Sequence, residues 1–109
     1  MRDPLIPIDE LHQLLDAADA PDWHLRGGRL VKTLKCRDFP GALAYVGEVG
    51  ALAEEADHHP DIDIRYNRVT LSLITHDSDG ITRRDLDLAR RIDQVSTGVA
   101  LRVRWVRPN

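Results

Sequence analysis

Apolar positions along this chain alternate between a spacing of three to four and a spacing of two, and the changes fall at residues that end one kind of element and start another. Ile8, Leu11, Leu15 and Ala18 recur at three and four with Asp9 placed to cap, so residues 9–19 are predicted to form an amphipathic helix that Pro21 closes. Trp23-His24-Leu25-Arg26 and residues 29–36 flank Gly27-Gly28, and in the second run Leu30, Leu34 and Cys36 alternate with Val31, Thr33 and Lys35. Glycine reaches the positive φ that a tight turn demands, so the two runs are predicted to pair as a hairpin.

Asp38 ahead of Phe39-Pro40 is a helix start, and Phe39, Leu43, Val46, Gly50 and Ala53 trace one face of a second helix running to about Asp57. The small Gly47 and Gly50 suit close packing on that face. Pro60 cannot continue a helix and pushes His59 toward extended backbone, so His58 and His59 stand at a corner between helix and strand. Ile62, Ile64 and Tyr66 then alternate with Asp61, Asp63 and Arg65 and are expected in the core. Asn67-Arg68 is the predicted turn into a strand in which Val69, Leu71 and Leu73 alternate with polar residues and which ends at His76.

Asp77-Ser78-Asp79-Gly80 is a turn, and Thr82-Arg83-Arg84-Asp85 has the form of a capping box opening a third helix through about Ser96, with Leu88, Ile92 and Val95 inward. Gly98 ends it, and Val99, Leu101, Val103 and Trp105 mark a last strand before Pro108. The order predicts an α+β fold: an antiparallel sheet of about four strands plus a possible C-terminal strand, with three helices packed on one face. With 109 residues, residues 1–109 are expected to be one domain around a single core. An edge strand carrying Trp105 is also expected to seek a partner subunit.

Charge and composition narrow the function classes. A net charge of −3 and a pI near 5.9 show no global basic excess of the kind that binds nucleic acid, and Arg102, Arg104 and Arg107 read as the solvated face of the last strand. The single cysteine, Cys36, lies in an alternating apolar run, where a buried thiol without catalytic duty is expected, and it excludes an intramolecular disulfide. No stretch approaches the ~20 apolar residues that cross a bilayer, and Met1-Arg2-Asp3-Pro4 opens no leader-like run, so no membrane partner and a cytoplasmic location are expected.

The candidate chemistry lies in Glu54-Glu55-Ala56-Asp57-His58-His59-Pro60 and, further on, His76 and Asp85. Glu54 and His58 are four apart, so on a persisting helix they share a face and are expected to hydrogen-bond. A hairpin returns the end of its second strand beside the start of its first, which brings His76 back toward His59 and Pro60. Three imidazoles at one sheet edge suit a reaction in which one group gives a proton and another takes one, with a bell-shaped pH profile if the rings interact.

Plainer readings stand beside this one. His58 and His59 can be helix-end residues favoured by the negative end of the dipole, His76 an exposed strand terminus, and Asp85 a cap returning to the Thr82 backbone. A metal site is a further alternative, against which stand the divergent directions of adjacent histidines and the lack of an H-E-x-x-H helix or a nearby cysteine. His12 and His24 have no chemical neighbours in the pattern.

Glu54, three residues, His58-His59-Pro60, five residues, Tyr66, nine residues, His76, eight residues and Asp85 together resemble the signature of the pterin-4a-carbinolamine dehydratases, and the resemblance extends from about Phe39 through Gln94. The upstream helix, Trp23 and the hairpin are similar too. The resemblance implies dehydration of 4a-hydroxytetrahydropterin to quinonoid dihydropterin, in recycling the pterin used by aromatic amino acid hydroxylases, with no metal and no bound cofactor. It implies His58 and His76 as the acid–base pair, His59 as a positioner of the pterin, Asp85 as the orienting carboxylate, and Glu54, Asp57 and Pro60 at the substrate. It also implies an α+β fold assembled as a homodimer or homotetramer. Relatives resembling Rubisco assembly factors often have an altered histidine set, so a non-catalytic assembly or scaffolding module is the alternative, against which the intact set here favours catalysis. The departure from compact members is the C-terminal run from Arg104 to Asn109, which bears on oligomer geometry.

Overall fold

The sheet is organised around one strand, β2 (Arg29–Lys35), with β1 (His24–Arg26) antiparallel along one edge and β4 (Arg68–Leu73) antiparallel along the other. β3 (Asp61–Arg65) pairs with β4 and completes the order β1-β2-β4-β3, while β5 (Arg104–Trp105) pairs with the far end of β2. Three helices, α1 (Ile8–Ala17), α2 (Phe39–Ala56) and α3 (Arg83–Asp93), complete the α+β fold. The computed structural model describes residues 3–17, 23–95 and 104–105. No helix among them is long and apolar enough to cross a membrane.

Local chemistry sets the element ends. Gly27 and Gly28 both take positive φ, 58° and 76°, which is what a two-residue hairpin turn matched to the strand twist requires. Asp38 accepts from the Gly41 amide at 2.8 Å and starts α2, and Thr82 caps α3 in a complete capping box with Asp85. Alternation then sends Leu30, Leu34, Val69, Leu71 and Leu73 to one sheet face, under Tyr45, Val49 and Ala53 of α2 and Leu86, Ala89 and Ile92 of α3. Leu11 and Leu15 bring α1 into the same core.

Several expectations need correcting. The face expected for α2 is only partly buried: Phe39 and Leu43 are 43% and 48% accessible, Val46 and Gly50 are half-buried and Ala53 is buried, while the better-covered stripe also holds Gly41, Ala42, Tyr45 and Val49. An apolar-rich helix carries two overlapping three-four repeats, and the one holding the Tyr45 ring removes more apolar surface from water. Tyr66 is not a core strand residue. It occupies the β3–β4 turn at φ 53° and is 67% exposed, because the Asn67 side chain donates to the Cys36 carbonyl at 2.9 Å and the Cys36 amide to the Asn67 carbonyl at 2.7 Å, holding Asn67 inside the turn. Ile62 is 39% exposed on the edge strand, and Ile64 is half-buried.

α1 starts at Ile8, one residue before the expected cap, and the expected residues 18–19 lie outside the described residues. β4 stops at Leu73 rather than His76, and α3 ends at Asp93 with Gln94 as its cap, short of Ser96, which lies outside the described residues. Of the last strand, only Arg104–Trp105 is described; residues 99–103 lie outside.

Lys32 shares the covered face with Leu30 and Leu34, which alternation alone disfavours. Its Nζ lies 2.5 Å from Asp93 Oδ1, which also accepts from Trp23 Nε1 at 2.9 Å. A charge under a helix layer persists only when paired. The pair also ties the end of α3 to the middle of the sheet.

Candidate active site

The corner after α2 is made by backbone geometry. Asp57 takes φ 50°, a left-handed conformation that aspartate tolerates better than most residues, and its amide and that of His58 bond back to the carbonyls of Glu54 and Ala53 at 3.2 and 3.1 Å. This reversal carries His58 off the helix axis and under α3. The expected Glu54–His58 bond is therefore absent: Glu54 Oε1 lies 2.7 Å from His59 Nε2, while His58 Nε2 lies 2.5 Å from Asp85 Oδ1.

Asp85 serves as both cap and partner. Its Oδ2 accepts from the Thr82 amide at 2.9 Å and from Thr75 Oγ1 at 2.8 Å, which leaves Oδ1 for His58. Proton accounting fixes the chain of donors: Thr75 spends its single hydroxyl hydrogen on Asp85, so in the 2.7 Å contact between the two hydroxyls Thr82 donates to Thr75, while the Arg84 amide donates to Thr82 Oγ1 at 3.3 Å. Asp85 is fully buried and His58 nearly so. With Nε2–H given to the carboxylate, a neutral His58 ring carries its lone pair on Nδ1.

His76 begins a single 3₁₀ turn, His76–Ser78, at the end of β4. The turn is closed at its base by Thr75 and Gly80, whose amide and carbonyl meet at 2.9 Å. It is tied down by the chain's first described residues: Ser78 Oγ donates to the Asp3 carbonyl at 2.6 Å, and the Ile6 amide to the Ile81 carbonyl at 2.9 Å. His76 itself is exposed.

These pieces enclose an open cleft of about 200 Å³ lined by Asp57, His58, His59, Ile74, Thr75, His76, Asp77 and Arg84. All three candidate histidines and Asp57 border it. Asp85 lies behind His58, Glu54 behind His59, and Pro60 beside the wall without lining it. Among the described residues no three His, Cys, Asp or Glu side chains form a metal-ligand set.

Thr75 and Arg84 belong to this site and were not anticipated. Arg84 donates to the Asp57 carbonyl at 2.7 Å and lies 3.6 Å from the Asp3 carboxylate, so it clasps the corner that positions His58. Its place next to Asp85 in the first turn of α3 was the available signal; Thr75 had only its neighbour His76 to mark it.

Comparison with known proteins fits this geometry. Residues 4–95 match the family described as Pterin 4 alpha carbinolamine dehydratase. A protein of Chloroflexus aurantiacus carrying the provisional name pterin-4-alpha-carbinolamine dehydratase is 53% identical over 78 residues, which is 72% of this chain and 84% of that protein. A Nocardia farcinica protein of the same provisional name is 49% identical over 78 residues, 72% of this chain and 82% of its own length. Among solved structures, a transcriptional coactivator/pterin dehydratase from Brucella melitensis aligns with a TM-score of 0.77 at 30% identity, covering 84% of this chain and 98% of that one. A pterin dehydratase-like protein described as a RuBisCO assembly factor in the alpha-carboxysome shares the fold, with a TM-score of 0.57 at 20% identity over 68% of this chain and 86% of its own. On the family match and these relatives, the chain belongs to the pterin 4 alpha carbinolamine dehydratase family.

Proposed function

We propose that the cleft dehydrates 4a-hydroxytetrahydropterin to quinonoid dihydropterin, with His58 and His76 as the groups that exchange protons with the substrate. The observation that carries this reading is a nearly buried imidazole, pinned through one nitrogen to a buried carboxylate that also accepts from Thr75 and the Thr82 amide, and bordering the same cleft as two exposed imidazoles. In the reaction the C4a–O bond breaks and its electrons leave with the hydroxyl, which takes a proton from one imidazole and departs as water. The other imidazole accepts a proton from a ring nitrogen, and the electrons of that N–H bond stay in the heterocycle. Each proton transfer to or from a matched group contributes roughly 10²–10⁴-fold.

Asp85 holds the His58 tautomer and ring plane and stabilises the imidazolium when it forms. His59, braced by Glu54, positions the pterin from the rim; Asp57 faces the substrate, and Pro60 fixes the backbone that presents His59. No step calls for a metal or a bound cofactor. The competing reading is a non-catalytic assembly module of the same fold.

Loss of the 4a-hydroxypterin absorbance after adding pure protein separates the two. Wild-type protein is expected to accelerate it well above the buffer rate, with His58→Ala and His76→Ala each slowing it by at least tenfold. A wild-type rate equal to buffer overturns the enzymatic reading.

A further inference from the structure

Among the described residues the helices cover one face of the sheet and nothing covers the other, and in register that bare face is cationic. Arg65 of β3 stands opposite Arg68 of β4, and Arg68 opposite Lys35 of β2. Three basic residues thus occupy one level across three neighbouring strands, and Arg26 on β1 adds another to the same face. Like charges placed directly opposite one another destabilise a sheet. Among the described residues neither Lys35 nor Arg68 has a carboxylate partner, and Arg65 has only its own-strand neighbour Asp63, at 3.2 Å. The chain as a whole carries a net −3, so this is a local excess held against the overall balance.

We propose that this bare face binds an extended, carboxylate-rich peptide segment of a partner protein. Strands are about 4.8 Å apart, so the row is about 10 Å long, and same-face carboxylates recur about every 6.7 Å along an extended chain. Arginine forks match carboxylates in bidentate geometry. Beside the row, Arg26, Val31, Thr33, Asp63 and Thr70 help line a concavity of about 380 Å³, in which the Thr33 and Thr70 hydroxyls, 3.0 Å apart, and the Asp63 carboxylate offer partners to peptide groups. Nucleic acid fits less well, because no aromatic side chain lines the concavity to stack a base. The site is separate from the histidine cleft and independent of its chemistry.

The test is fluorescence anisotropy of a labelled decapeptide of alternating glutamate and serine, titrated with the whole chain, beside a labelled single-stranded DNA of equal charge. Wild-type protein is expected to bind the peptide saturably, Arg65→Gln/Arg68→Gln to weaken binding at least tenfold, and Arg83→Gln/Arg91→Gln on α3, with the same loss of charge, to stay within twofold. Absent saturable binding, an equal loss in the α3 variant, or DNA binding tenfold tighter than the peptide each overturns the proposal. Arg68→Gln alone is expected to raise the melting temperature of the free protein by relieving the row; an unchanged or lowered value removes its premise.

Discussion

His58 and His59 are neighbours in sequence and opposites in surroundings. The side chain of His58 is 8% exposed and bound to an Asp85 with no exposure at all, while that of His59 is 57% exposed against a Glu54 that is 81% exposed. One residue type thus holds two positions: a buried ring held by a dense hydrogen-bond set and an exposed ring at the wall held by one surface carboxylate. The difference comes from a single left-handed residue, Asp57, which turns the first ring inward and leaves the second at the surface. Fixed geometry suits proton transfer, and an exposed ring at the rim suits contact with a ligand.

The contrast breaks most severely at Asp85. Asp85→Ala strands His58 and removes the acceptor of Thr75 and the Thr82 amide, so urea denaturation should show a loss of about 3–5 kcal/mol, in line with breaking one side of a buried pair. Glu54→Ala, which cuts an equally direct but exposed contact, should change stability by no more than about 0.5 kcal/mol. His59→Ala should raise KM several-fold while leaving kcat within about threefold, a split that steady-state kinetics reads directly. A large kcat loss from His59→Ala would erase the proposed division of labour.

A smaller effect sits in the core behind the site. Tyr45 and Cys36 are buried acids whose pKa values burial pushes up, with the negative charge of Asp93 adding at Tyr45 and that of Asp38 at Cys36. Both are protonated in the folded state at pH values where the unfolded chain has begun to ionise. Their contribution to stability is therefore complete below about pH 9 and falls as pH rises through 10 and beyond. Tyr45→Phe should flatten that alkaline decline in melting temperature. At pH 7 it should be neutral or stabilising by up to about 1 kcal/mol, because the Tyr45 hydroxyl has no hydrogen-bond partner among the described residues. Cys36 should resist alkylation at pH 8 until the protein is unfolded.

Much of the fold was legible because local and global signals agree. The Gly27-Gly28 turn, the Asp38 cap and the Thr82–Asp85 box each need one residue type at one place, and alternation marked the covered face of β2 and β4. What stayed hidden were choices that only packing makes: which of two apolar stripes of α2 goes inside, and why a lysine at position 32 can face the core, which depends on Asp93 sixty-one residues away. In the site, spacing anticipated that His58, His59 and His76 border one cleft yet paired Glu54 with His58 instead of His59, because a helical rule of four presumes a helix that Asp57 ends. Thr75 and Arg84 escaped notice because neither threonine nor arginine announces chemistry until its neighbours in space are known.

The central claim rests on Asp85 holding His58 ready for proton transfer, and kcat for Asp85→Asn on 4a-hydroxytetrahydropterin tests it most directly. Asparagine keeps the size and one acceptor oxygen but removes the charge that orients the ring, so kcat should fall by about 10² or more in a protein that remains folded. A folded Asp85→Asn protein that keeps kcat within threefold of wild type would contradict the proposed role of the pair.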